Sequence, residues 1–205
     1  SSFSQTVSNL SSQIRTTQLA AAILLRRFLS KEVQRIDPNL TKEAINVISS
    51  LAKTLPSNVF QKTLVDGLSY TKDLRLYDLQ KTNLQDALLG NKTHQLIMNQ
   101  TDLFLADLSY ANLENIVGHN IYFYRSILFC TRIKNCDFTN ADFRGADLSG
   151  VYFKDCILKG AKFSDAINIP QAIREKLING IYEDEAKVTA SHESNNKVIF
   201  FSMPG

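Results

Sequence analysis

The chain has 205 residues, no Trp, and 23 Lys and Arg against 20 Asp and Glu, a formal net charge of +3. Residues 1–70 hold eight bases and four acids, 71–166 eleven of each, and 167–205 four and five, so the one-sided excess of a nucleic-acid groove is missing. The apolar stretch Leu19 to Leu25 is far below the ~20 residues a membrane span needs, and no basic-then-apolar leader precedes it.

In chain order, the first element expected is a helix from about Ser4 to Ile36. Val7, Leu10, Ile14, Thr17, Ala21, Leu24 and Phe28 follow a 3-4 heptad spacing. At 1.5 Å per residue such a helix would reach ~50 Å. Its far half would project, to be covered by the chain's own core or by a partner, most simply a second copy. Asp37-Pro38-Asn39 ends it. A second helix is expected over 41–54, with Thr41 as N-cap and Ala44, Ile45, Ile48, Leu51 and Ala52 on one face. A third is expected over 58–69, after Pro56-Ser57.

A period of five then takes over. Large apolar residues stand at Met98, Leu103, Leu108 and Leu113 and, past Gly118, at Phe123, Leu128, Ile133, Phe138, Phe143, Leu148, Phe153, Leu158 and Phe163. Two places before each lies a small or apolar residue, among them Thr101, Ala106, Ala111, Ile121, Ser126, Cys136, Ala141, Ala146 and Cys156. Five is neither the helical 3.6 nor the strand's 2. The inner spacing of two is strand-like, and three further residues turn the chain before the next segment. The result is a coil with flat sides and these two series inside. Four sides would stack Leu103, Phe123, Phe143 and Phe163, and recurrence at a separation of 20 favours four by a small margin. An upstream block at Leu74, Leu79, Leu84 and Leu89 is one residue out of register. The break falls in Gly90 to Gln95, as an excursion loop or as a tightened corner.

After the repeats, Pro170 to Gly180 is expected to form a short cap helix. Glu183 to Asn196 reads as loose, and residues 197–201, Lys-Val-Ile-Phe-Phe, as a strand without an obvious partner.

Units such as Ala106-Asp107-Leu108-Ser109-Tyr110, Ala141-Asp142-Phe143-Arg144-Gly145 and Ala146-Asp147-Leu148-Ser149-Gly150 resemble the A(D/N)LXX signature of the pentapeptide-repeat family. The resemblance implies a mainly β solenoid, a right-handed quadrilateral β-helix with four units per coil. The division expected is an α-helical segment over 1–70 capping the solenoid, the repeats over 71–166, and a C-terminal cap helix with extension over 167–205.

No catalytic, cofactor-binding or metal-binding residue is assigned. Asp102, Asp107, Asp137, Asp142 and Asp147 occupy one outward repeat position. His94, His119 and His192 lack partners at recognisable spacing. Cys136 and Cys156 are inward packing residues, Cys130 lies at a corner, and none forms a zinc pattern. The unpaired cysteines and missing leader favour the cytoplasm. Ser1 is not a natural initiator, so a longer, membrane-tethered protein stays open. The function expected is a non-enzymatic scaffold or protein-binding module with an unidentified partner. Two alternatives come from the family. One is a DNA mimic that binds a type II topoisomerase such as DNA gyrase, which the neutral repeat block disfavours. The other is an effector whose repeats deliver a catalytic domain lying outside these 205 residues.

Overall fold

The computed structural model describes residues 1–191. The expected single helix over 4–36 is instead three. They are α1 (Phe3–Leu10), α2 (Arg15–Leu25), which runs into a 3-10 turn at Arg26–Leu29, and α3 (Lys31–Ile36). The first break has a local cause. The Ser12 hydroxyl accepts the Ile14 N–H, and the Gln18 amide donates to the Leu10 carbonyl that ends α1. Serines that bond to the nearby backbone compete with the helix there. At the second break Ser30 caps α3 by accepting the Val33 N–H. α1 folds back along α2, with Phe3 edge-on to Phe28 at 5.1 Å. Leu10 is buried, Val7 is half-buried and Ile14 is exposed. The projecting heptad face does not exist, and with it goes the geometric case for pairing two copies through the first helix.

α4 (Pro38–Ala52) starts at Asp37, whose carboxylate accepts the Leu40 N–H. Thr41 is therefore no cap; it is buried and donates to the Phe28 carbonyl. Proline at the first helical position lets the helix start three residues earlier than expected. α5 (Val59–Val65) is capped by Asn58 and leads into a 3-10 turn at Asp66–Tyr70.

The repeats form short parallel ladders on four faces. Face 1 carries Asp73, Ile97, Val117, Asp137 and Ile157; face 2 carries Asp78, Asp102, Tyr122, Asp142 and Lys162. Face 3 carries Asn83, Asp107, Ile127, Asp147 and Ile167; face 4 carries Leu88, Asn112, Arg132 and Tyr152. The longest runs are named β1 (Leu88–Leu89), β2 (Leu96–Ile97), β3 (Asn112–Glu114), β4 (Ile116–Val117), β5 (Arg132–Lys134) and β6 (Tyr152–Cys156). From Ile97 on, partners lie 20 residues apart, whereas Asp73 pairs with Ile97 and Leu88 with Asn112, four residues further. The extra residues leave the first coil as a loop closed by an Asn91–His94 bridge. It starts at Gly90, whose φ is +70° and where a Cβ would lie 2.1 Å from the Glu114 carbonyl oxygen.

Inside, Phe143 stacks on Phe123 at 4.8 Å and on Phe163 at 5.0 Å. Phe138 fills the space beside Gly118, its ring 3.0 Å from where a Cβ would stand. The inward hydroxyls of Thr82, Thr101, Ser126 and Thr131 each donate to a backbone carbonyl, which satisfies them in the core.

The helices close the upper end bond by bond. Ser49 donates to the Asp78 carbonyl, the Ala52 carbonyl accepts the Asn83 N–H, and the Gln61 amide reaches the carbonyls of Asn83 and Gln85. The Asp66 carboxylate accepts the Leu88 N–H, and Ser69 donates to the Leu88 carbonyl. At the lower end the expected cap helix shrinks to α6 (Gln171–Arg174), and the chain continues into a hairpin of β7 (Leu177–Ile178) and β8 (Ile181–Tyr182). Asn179 and Gly180 have φ of +51° and +78°, the two-residue turn that Asn-Gly favours, and it ends the helix early. β8 covers face 2 at Lys162. The stretch expected to be loose contains β9 (Val188–Ser191), antiparallel to β6, with Val188 and Ala190 buried. Residues 197–201 lie outside the described residues. No helix among the described residues is long and apolar enough to cross a membrane.

Candidate interaction surface

The repeat geometry fixes which side chains face out. In eight units the Asp or Asn before the large residue accepts the N–H two places on, whereas the Oδ1 of Asn112 is buried without a partner among the described residues. The eight are Asp73, Asp78, Asn83, Asp102, Asp107, Asp137, Asp142 and Asp147. Such side-chain turns are the reason Asp and Asn recur there, and they occupy the carboxylates that could be mistaken for catalytic pairs. Two residues past the large one, the chain is left-handed at every corner, as at Asn115, Asn120, Asn135 and Asn140. Asn tolerates that region, but Lys81, Leu105, Tyr110, Arg125 and Cys130 occupy it too. The recurrence of Asn and Gly at this fifth position is the signal in the sequence that marks the corners.

The outward positions of face 3 and its corners change character along the coil. In the second coil they are Phe104, Leu105, Asp107, Ser109 and Tyr110, and in the third Tyr124, Arg125, Ile127, Phe129 and Cys130, so six of the ten are large and apolar or aromatic. In the first coil the matching places hold Gln80, Lys81, Asn83, Gln85 and Asp86, and in the fourth Arg144, Gly145, Asp147, Ser149 and Gly150. Leu105, Tyr110, Ile127 and Phe129 are 43%, 56%, 41% and 38% exposed, so the patch faces solvent. Phe104 stacks on Tyr124 at 5.7 Å, and Tyr110 meets Phe129 edge-on at 5.4 Å. The guanidinium groups of Arg125 and Arg144 lie 5.3 and 5.5 Å from the Tyr124 ring.

Arg144 is itself held by Asp142 through bonds of 2.8 and 2.6 Å. Burial pushes the Asp142 carboxyl up, but the Arg144 bonds and charge outweigh it and hold it below its ordinary value. Asp107 and Asp147 flank Ile127 above and below. Among the described residues neither has a cationic partner; Asp107 receives the Gln85 amide and Asp147 the Ser149 hydroxyl.

The other residues considered in the sequence stand apart from this patch. His119 bonds Asp137 at 2.9 Å, one coil apart, a partnership that linear spacing hid. Burial raises the Asp137 carboxyl, and the bonds from Thr139 and His119 more than reverse it. His94 lies in the loop beside Thr93, and His192 falls outside the described residues. Cys136 and Cys156 are buried, with thiols pointing at the carbonyls of Leu113 and Ile133. Burial pushes the Cys136 thiol well up, and burial raises Cys130 against the pull of Arg132, so neither is activated. No cluster of metal-ligating residues occurs among the described residues.

A four-sided β-solenoid with one apolar, aromatic stretch of wall is the class these features define. The family model described as pentapeptide repeats (8 copies) matches residues 136–167. Residues 136–167 thus carry pentapeptide repeats, and the ladders keep the same five-residue spacing between faces from Ile97 to Ile167. Among solved structures it is similar to QnrB1, a plasmid-mediated fluoroquinolone resistance protein, at 23% identity over 46% of this chain and 46% of that one, with a TM-score of 0.42. It is also similar to the pentapeptide repeat protein Rfr23 of the cyanobacterium Cyanothece 51142, at 24% identity over 46% and 58% of the two chains and a TM-score of 0.36. A pentapeptide repeat protein from the thylakoid lumen of Arabidopsis thaliana matches at 22% over 59% and 81%, with a TM-score of 0.27. The match thus spans less than half of QnrB1. No curated protein sequence matches the chain.

Proposed function

We propose that the chain is a non-enzymatic protein-binding module whose contact surface is face 3 in the second and third coils. One observation carries the reading: outward apolar residues gather in two adjacent coils and give way to polar ones above and below. An apolar, aromatic centre inside a polar rim is the anatomy of an interface, and contiguous exposed apolar surface marks a binding site. Stacked Phe104 and Tyr124 are held rigid before binding, so little side-chain entropy is lost on contact. The unpaired cysteines fit a reducing compartment.

A photo-crosslinking residue at Phe129, compared with one at Lys154 on face 4, tests the reading in the source cells. A discrete protein adduct from position 129 and none from 154 is expected. The same adducts from both positions would sink it.

A further inference from the structure

The apolar stretch of face 3 carries charges of both signs, and their places are unequal. Asp107 and Asp147 stand on the central column, one coil above and one coil below Ile127. Arg125 and Arg144 stand on the corner between faces 2 and 3, level with Ile127 and with Asp147. Both arginines are exposed. Arg144 is tied to Asp142. Arg125 has no acidic partner among the described residues and rests beside the Tyr124 ring. Asp107 has no cationic one. A cation and an anion thus lie on one wall, each without a counter-charge.

A closed pair of identical copies needs a surface that complements itself about a two-fold axis lying in the contact plane. Candidate axes pass through Ile127, the centre of the patch. An axis along the column sets Asp107 and Asp147 each against itself. One along the strands sets Asp107 against Asp147, and Arg125 against itself. One diagonal sets Arg144 against itself. The other diagonal runs from the corner of Phe104 and Leu105 through Ile127 to the corner of Ser149 and Gly150. About it, Asp107 faces Arg125 of the second copy, and symmetry makes that contact twice. Arg144 faces the Tyr110 ring of the second copy, a cation over an aromatic face. Leu105 and Ile127 meet their own equivalents on the axis, and Asp147 faces Phe129 while keeping its bonds from Ser149. The exchange is metrically sound. Arg125 lies two residues from Ile127, on the order of 6 Å, and Asp107 one coil from it, ~4.8 Å. The two walls then cross near a right angle, which is one of the two ways sheets pack.

Resting on face 3 as the contact surface, we propose that its occupant is a second copy of this chain, seated crosswise about the diagonal through Leu105 and Ile127, with Asp107 of each copy paired to Arg125 of the other.

Sedimentation of the full chain reads the pairing. A patch one face wide lies at the small end of interface sizes, so the weight-average mass should climb from one chain towards two only between about 5 and 300 µM. Arg125→Asp sets Asp107 against an aspartate, and Asp107→Arg sets Arg125 against an arginine. Each alone should weaken association at least about tenfold. Mixed in equal amounts, the two variants regain both opposite-charge contacts, and association should return, which misfolding cannot produce. Ile127→Glu places two carboxylates on the axis and should also hold the chain single; it serves if Asp107→Arg does not fold. A wild-type chain that stays single to the top of that range overturns the proposal. So does a pair that Arg125→Asp and Ile127→Glu leave intact, or a mixture of folded variants that stays single. If the wild-type chain stays single while the adduct at Phe129 persists, self-pairing fails alone and another protein occupies the wall. If the adduct is lost as well, both readings fail.

Discussion

Phe143 and Arg144 are neighbours with opposite fates. Phe143 is sandwiched between two rings, so Phe143→Asp buries a charge without a partner and is expected to abolish the cooperative melt. A repeat pattern alone makes Arg144 a free outward residue. The structure shows it clamped to Asp142 and laid near Tyr124, so Arg144→Asp should cost about 1 kcal/mol, read from denaturant midpoints. Gly118→Leu forces a side chain into space Phe138 already uses and should cost about 1–3 kcal/mol; a higher melting temperature would contradict that packing. Lys81 is strained at φ +55°, and Lys81→Gly should stabilise by up to about 1 kcal/mol. The inward series were legible because a large apolar residue returns every fifth place with a small or apolar one two places before it. The Asp142–Arg144 clamp and the His119–Asp137 bond were not, since the repeat places the aspartates but leaves the identity of their outward neighbours free.

At the scale of elements, the cap over the first coil works through specific polar groups. Gln61 is buried and serves two carbonyls, so Gln61→Leu leaves both without a donor and should cost about 1–3 kcal/mol in urea unfolding. The helices themselves were legible in position but not in length. Heptad spacing runs unbroken through Ser11 and Ser12, while the Ser12 hydroxyl takes the Ile14 N–H and interrupts the helix. At the other end, Asn179-Gly180 carried the signal for a hairpin and was overshadowed by the proline and glycine that frame a short helix. β9 escaped because a four-residue strand in polar surroundings shows itself only beside the edge it pairs with.

For the whole molecule, acid should act through the outward carboxylates. Asp137 and Asp142 have folded-state values below the ordinary 3.8. Their contribution is whole above that value and is lost as pH falls through the lower folded one. The melting temperature should therefore drop below about pH 4, and Asp142→Asn should shallow that drop; an unchanged acid limb would mean the Arg144 clamp adds nothing. Face 3 as a candidate site was legible only in part. Its residues stand in plain view, but Phe104, Tyr110, Tyr124 and Phe129 come together only once twenty residues are known to make a coil.

The first coil holds four more residues than those below it, and every ladder above and below the loop stays in phase. A corner is thus a place where a lineage gains length without scrambling the wall, because the surplus leaves the plane of the coil and no downstream unit has to shift. Slippage during gene copying would be tolerated there and purged within a ladder. Grafting a further flexible pair of residues between Lys92 and Thr93 should barely move stability, since even doubling a loop costs only about 0.6 kcal/mol. The same pair inserted after Asp142 would turn every later inward side chain out of place, and that variant is expected not to fold. For anyone wishing to hang a new recognition loop on this wall, the natural splice point is already marked.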